Sequence, residues 1–118
     1  ASDVYKRQVR LRPEAANMLG MALHELATNA TKYGSLSVPQ GTVFVAWRRE
    51  PDGDGAQRFR LTWREGGGPP VSRPAQGGFG SRVVGDMTAA TLNAKVALDF
   101  SPGGVVWRID APASIVID

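Results

Sequence analysis

The chain has 118 residues, enough for one domain with a single hydrophobic core and too few for two. Hydrophobic residues at 42% and charged ones at 21% exclude wholesale disorder, and no apolar run reaches the roughly 18 residues that a membrane-spanning helix needs. Cysteine is absent, which removes disulfides, thiolate metal sites and cysteine nucleophiles and fits a cytoplasmic location; the net charge of +3 is spread over strands and loops rather than gathered into a nucleic-acid patch.

The first eight residues, ASDVYKRQ, differ in character from the rest and are set aside as a truncated or appended segment, leaving one domain over residues 9 to 118. Val9 and Leu11 alternate with Arg10 and Arg12 as a short edge strand would. Pro13 and Glu14 suit the first turn of a helix that the spacing of Leu19, Leu23, Leu26, Ala27 and Ala30 carries to Tyr33, with Gly34 as a left-handed cap. Residues 42–49 and 58–64 alternate as two strands of a hairpin across the turn-rich PDGDGAQ. Val43, Val45 and Trp47 are expected on one face of the first, and Phe59, Leu61 and Trp63 on one face of the second. Arg58, Arg60 and Arg64 then lie on the opposite, solvated face.

Residues 65–80 are crowded with glycine and proline and read as a loop of about 16 residues, a length usually kept for function. Val83, Val84, Met87 and Ala90 mark a second helix over residues 81–92, closed by Asn93 as a left-handed cap. Two strands, residues 95–100 and 105–109, complete the chain around the turn SPGG. The order predicts a two-layer α/β sandwich, with a mixed, largely antiparallel sheet and the helices on one face.

Three segments carry chemistry. In HELATNATKYG, residues 24–34, Glu25, Asn29 and Lys32 fall at i, i+4 and i+7 on one helix face. A carboxylate and an amide oxygen one turn apart are hard ligands of the kind Mg²⁺ takes, with phosphates and waters completing its shell. Lys32 adds a cation for phosphate and Tyr33 a flat ring. In WREGGGPPV, Glu65 ends a strand beside Gly66, Gly67 and Gly68, where a carboxylate can accept from an exocyclic amine while a ring lies on Cβ-free backbone. In GGFGSRVV, glycines lead into a helix N-terminus, a natural anion site.

Together, and in this order, these segments closely resemble the ATP-binding catalytic domain of sensor histidine kinases of the HWE subfamily. Its markers are a histidine in the asparagine box, here His24, and a Trp-x-Glu in the first glycine box, here Trp63 and Glu65. The resemblance runs from about Val9 to Pro112. It implies the Bergerat fold, shared with the gyrase and MutL ATPases of the GHKL group, and ATP with Mg²⁺. Asn29 is then the metal ligand, and Glu25 lies near the metal, orienting or deprotonating a substrate imidazole or serving a phosphatase side reaction. Lys32 meets phosphate, Tyr33 packs near adenine or ribose, and Glu65 reads the adenine amino group with Gly67 allowing close approach. Gly78 and Gly80, with the N–H of Ser81, hold the phosphates.

The implied reaction is transfer of the γ-phosphoryl group to a histidine on a separate helical domain absent from this chain. A response-regulator receiver domain follows as the next partner, in a parent that is oligomeric, with no nucleic acid and no direct membrane insertion by this chain. His24 sits on the nucleotide helix itself and so is expected to orient Glu25, bond the loop between Glu65 and Gly80 that serves as a lid, or pack, rather than accept phosphate. Two other readings stay open at this level: an anti-sigma-type serine kinase of the same fold, and a non-catalytic nucleotide-binding or interaction module.

Overall fold

In the computed structural model, residues 10–69 and 82–118 are described. The long helix α1 spans Pro13–Lys32, with Pro13 in its first turn where no N–H is needed, Glu14 at the positive end of the dipole and Lys32 at the negative end. Its buried stripe is Ala15, Met18, Leu19, Ala22, Leu26, Asn29 and Ala30, with Leu23 and Ala27 partly covered. One polar residue therefore shares the apolar stripe. The helix stops at Tyr33, and Gly34 is not the left-handed cap that its position suggests. Its φ of −110° is open to any residue, and a 3₁₀ turn over Ser35–Ser37 follows.

Four strands form one sheet: β1 (Thr42–Pro51), β2 (Gln57–Gly66), β3 (Lys95–Ser101) and β4 (Gly104–Pro112). Their order is β1-β2-β4-β3, and every neighbouring pair among the described residues is antiparallel. Cross-strand pairs Leu61 with Ile109 and Trp63 with Trp107 set the core face, onto which α1 packs. Trp107 is wholly buried, and each such apolar side chain stabilises the fold by about 1.5–3 kcal/mol. The other sheet face carries Arg60, Arg64 and Arg108 in solvent, as the alternation of β2 requires.

Two details of the elements differ from the sequence reading. The core ends at Val43, so Val45 and Trp47, expected on the same face as Val43, are exposed on edge strand β1, as is Phe44 on the other side. The second helix opens as a π-helical turn, Arg82–Met87, before the α-helical α2 (Thr88–Leu92); Met87 is exposed and Ala90 is not in the core. The π turn adds a residue per turn, so the buried line becomes Val84, Thr88 and Leu92. Side-chain donors reach two carbonyls of that turn: Trp107 Nε1–H to Val84 O at 2.8 Å and the Thr88 hydroxyl to Val83 O at 2.7 Å. Asn93 does adopt the expected left-handed conformation, φ 52° and ψ 46°.

The first described residues, from Arg10, lie against the last turn of the chain. Leu11 bridges Ile117 rather than joining the sheet, Arg12 N–H donates to Val116 O at 2.8 Å, and a short helical turn α3 (Ala113–Val116) packs below β2. Val9, the other half of the expected edge strand, lies outside the described residues.

Candidate nucleotide site

On the core face of β2, Phe59, Leu61 and Trp63 are followed at the same two-residue period by Glu65, which is only 5% exposed. A buried carboxylate costs several kcal/mol unless donors meet it. Here they do: the Trp63 Nε1–H donates to Oε2 at 3.1 Å, and the backbone N–H of Ser35 donates to Oε1 at 3.2 Å. Space for the carboxylate comes from two glycines. A Cβ on Gly34 would lie 2.5 Å from Oε1, and one on Gly104 would lie 2.6 Å from Glu65 Cβ and 3.1 Å from Oε1. Gly34 thus serves close approach, and Glu65 sits directly below the C-terminal turn of α1.

One turn back along that helix, Asn29 is 7% exposed and Glu25 half-buried. The Asn29 amide nitrogen donates to Glu25 Oε2 at 3.1 Å and to the Glu25 carbonyl at 3.0 Å. An ionised carboxylate only accepts, so Glu25 dictates which end of the amide faces it and turns Oδ1 the other way. Lys32 is exposed in the last turn, and Tyr33, 61% exposed, presents its ring to solvent beside the helix end. Two bonded groups result: Glu65 with Trp63 and Ser35 just past the end of α1, and Asn29 with Glu25 on the last turns of that helix.

Gly67 has φ +71°, and a Cβ there would come 2.7 Å from the Gln40 carbonyl, so what approaches it closely is backbone. His24 is exposed, which argues against a packing role, and among the described residues it holds no hydrogen bond to Glu25. Gly78, Gly80 and Ser81 lie outside the described residues. Trp63, 5% exposed, is both core and hydrogen-bond donor.

Sequence reasoning missed Ser35, Gly34 and Gly104 as parts of the site. The first looks like any loop serine, and the glycines look like a cap and a turn. Ser35 is fully buried, and its hydroxyl has no partner among the described residues. A groove on the opposite sheet face, lined by Arg48, Arg60, Arg108 and Asp110, holds none of the motif residues. Its charges answer one another: Arg60 pairs with Glu50 at 2.8 Å and with Asp110 at 3.5 Å, and Arg108 with Asp99 at 3.5 Å.

Among the described residues no three His, Asp or Glu side chains converge, so no protein-only metal cage is formed by them. One amide oxygen and a nearby carboxylate suit Mg²⁺, which keeps several waters and takes the rest of its shell from phosphates. The donor set fits the ion at Asn29.

No family model matches the chain. The blue-light-activated histidine kinase of Brucella anthropi is 43% identical over 94 residues, 80% of this chain and 19% of that protein. Blue-light-activated histidine kinase 1 of Erythrobacter litoralis is 42% identical over 109 residues, 89% of this chain and 28% of that protein. Among solved structures, the histidine kinase domain of the Erythrobacter litoralis EL346 blue-light-activated histidine kinase superposes with a TM-score of 0.62 at 25% identity, over 86% of this chain and 46% of that one. The chain spans less than a third of the length of these curated relatives.

Proposed function

We propose, from its kinship with histidine kinases of the HWE type, that this chain is the ATP-binding catalytic domain of a sensor histidine kinase. Its substrate is ATP, and the acceptor is a histidine on a helical domain of the parent outside these residues, from which a receiver domain takes the phosphoryl group. The supporting observation is the buried, doubly hydrogen-bonded Glu65 at the end of the helix that carries Glu25 and Asn29. No helix of the described residues is long and apolar enough to cross a membrane.

On this reading each side chain positions rather than reacts, as phosphoryl transfer demands. Glu65 accepts from the adenine amino group. Glu25 holds the amide of Asn29 so that Oδ1 is presented as a metal ligand, a more specific task than acting as base. Lys32 offsets phosphate charge from the last turn of α1, Tyr33 offers its ring to the nucleoside, and the phosphate contacts that the motif assigns to Gly78, Gly80 and Ser81 lie outside the described residues. Mg²⁺, when bound, would neutralise charge on the β- and γ-phosphates.

Titration of the chain with ATP, with and without Mg²⁺, tests the reading. Binding is expected to depend on Mg²⁺, and Asn29→Ala should weaken it by about 10-fold or more by removing both the ligand oxygen and the partner of Glu25. The isolated chain should take no label from γ-labelled ATP, since the acceptor lies elsewhere. ATP binding that ignores both Mg²⁺ and Asn29 would rule the assignment out.

A further inference from the structure

The Trp-x-Glu pair contains a role that the adenine reading leaves open. We infer that Trp63 is a positioning residue for nucleobase selectivity: its indole N–H, together with the Ser35 N–H, locks the Glu65 carboxylate in the one orientation that requires an amino group of the base. The inference rests on the reading of Glu65 as adenine acceptor given above.

Three observations carry it. The first is directional. A tryptophan that merely filled core could point its nitrogen anywhere, whereas this one donates to Glu65 Oε2 at 3.1 Å in a buried setting, two residues away on the same strand face. The second is the slot. Glu65 lies between Gly34 and Gly104, where any Cβ would collide with it, and Ser35 N–H takes the other oxygen at 3.2 Å. The terminal torsion of a glutamate is soft, so two donors on two different oxygens are what hold the plane of the group. The third is Ser35 itself, whose fully buried hydroxyl is unpartnered among the described residues, so the residue whose N–H holds the carboxylate keeps polar capacity for a ligand or a water.

Chemistry then explains the pairing of residue types. Glutamate is one methylene longer than aspartate, and that reach lets its carboxylate meet an indole nitrogen on the same strand face. With two lone-pair sites occupied by Trp63 and Ser35, the carboxylate can still accept, and as an acceptor-only group it rewards a base that donates and gains nothing from one that does not. Without the indole N–H, one oxygen loses its donor, the group can rotate, and discrimination falls even though the charge remains.

The test compares Mg-ATP with Mg-purine riboside 5′-triphosphate, which lacks the 6-amino group, by calorimetric titration of the 118-residue chain. The natural chain should prefer ATP by about 10-fold or more, as expected where a site is built to bond a donor. Trp63→Phe keeps an aromatic ring in the core and should bring that preference to within about 3-fold, with little change for the purine riboside nucleotide. Should this variant not fold, the natural chain still decides: of its three indole N–H resonances, that of Trp63 should move on ATP binding and move less with the analogue. A folded Trp63→Phe chain that keeps the full preference overturns the inference and leaves the Glu65 reading standing, as does an unmoved Trp63 resonance. A natural chain that binds both nucleotides alike, or a Glu65→Gln chain that keeps the preference, overturns the Glu65 reading and the inference with it.

Discussion

At Gly34 the reason for glycine is a neighbour rather than a dihedral angle. Its φ of −110° would admit alanine, but the new methyl would sit 2.5 Å from Glu65 Oε1 and 3.1 Å from Ala30 Cα. Gly34→Ala should therefore destabilise the chain by about 1–3 kcal/mol in denaturant unfolding, through overpacking alone. In a double-mutant cycle with Glu65→Ala the two changes should be non-additive by about 1 kcal/mol or more, because the second removes the obstacle met by the first. A fully additive cycle would show that the glycine and the carboxylate do not meet. Asn93 is the opposite case: there the left-handed backbone, φ 52°, is itself what selects the residue, and the sequence reading of a cap was correct.

Among the elements, the second helix shows how a local change of winding redirects burial. Reading Val83, Val84, Met87 and Ala90 as one face assumes 3.6 residues per turn. The π turn over Arg82–Met87 breaks that period and puts Thr88 in the core, wholly buried, with its hydroxyl on the Val83 carbonyl. Thr88→Val keeps the shape and adds apolar surface, so a simple burial argument forecasts greater stability. Loss of the hydroxyl instead removes its bond to the Val83 carbonyl, and we expect a net loss of about 1 kcal/mol by urea unfolding. A more stable variant would mean that the π turn does not need this bond. Edge strand β1 teaches a related lesson, since alternation names two faces and cannot say how far along the strand the cover extends.

Across the whole sheet, one row of charges links all four strands on the solvent face: Glu50 and Arg48 on β1, Arg58 and Arg60 on β2, Asp110 on β4 and Lys95 on β3. Burial pushes the Asp110 carboxyl up, but the Arg58 hydrogen bond at 2.9 Å and the charges of Arg58, Arg60 and Lys95 outweigh it and hold the group below its ordinary 3.8. A depressed acid adds stability that is complete above the unfolded value and lost as pH falls through the lower folded one. The natural chain should thus exceed Asp110→Asn in stability at about pH 6, with the gap narrowing below about pH 4. Thermal unfolding of both chains across that range checks the sign, and a gap that widened on acidification would contradict it.

The sequence by itself determined the two hairpins and the two helices that precede them in turn, the two-layer α/β arrangement, the long helix with a polar line on an apolar body, and the family to which HELATNATKYG and WREGGGPPV are akin. These were legible because periodicity, turn residues and motif spacing are local properties. Only the tertiary structure decided that Glu65 is buried under the end of α1, that Trp63 and Ser35 hold it, and that Gly34 and Gly104 make its room. Strand β2 and the end of α1 are about 30 residues apart in the chain. No pattern within either segment encodes their distance, because it is set by which face of the sheet the helix covers and by how far the covered face extends.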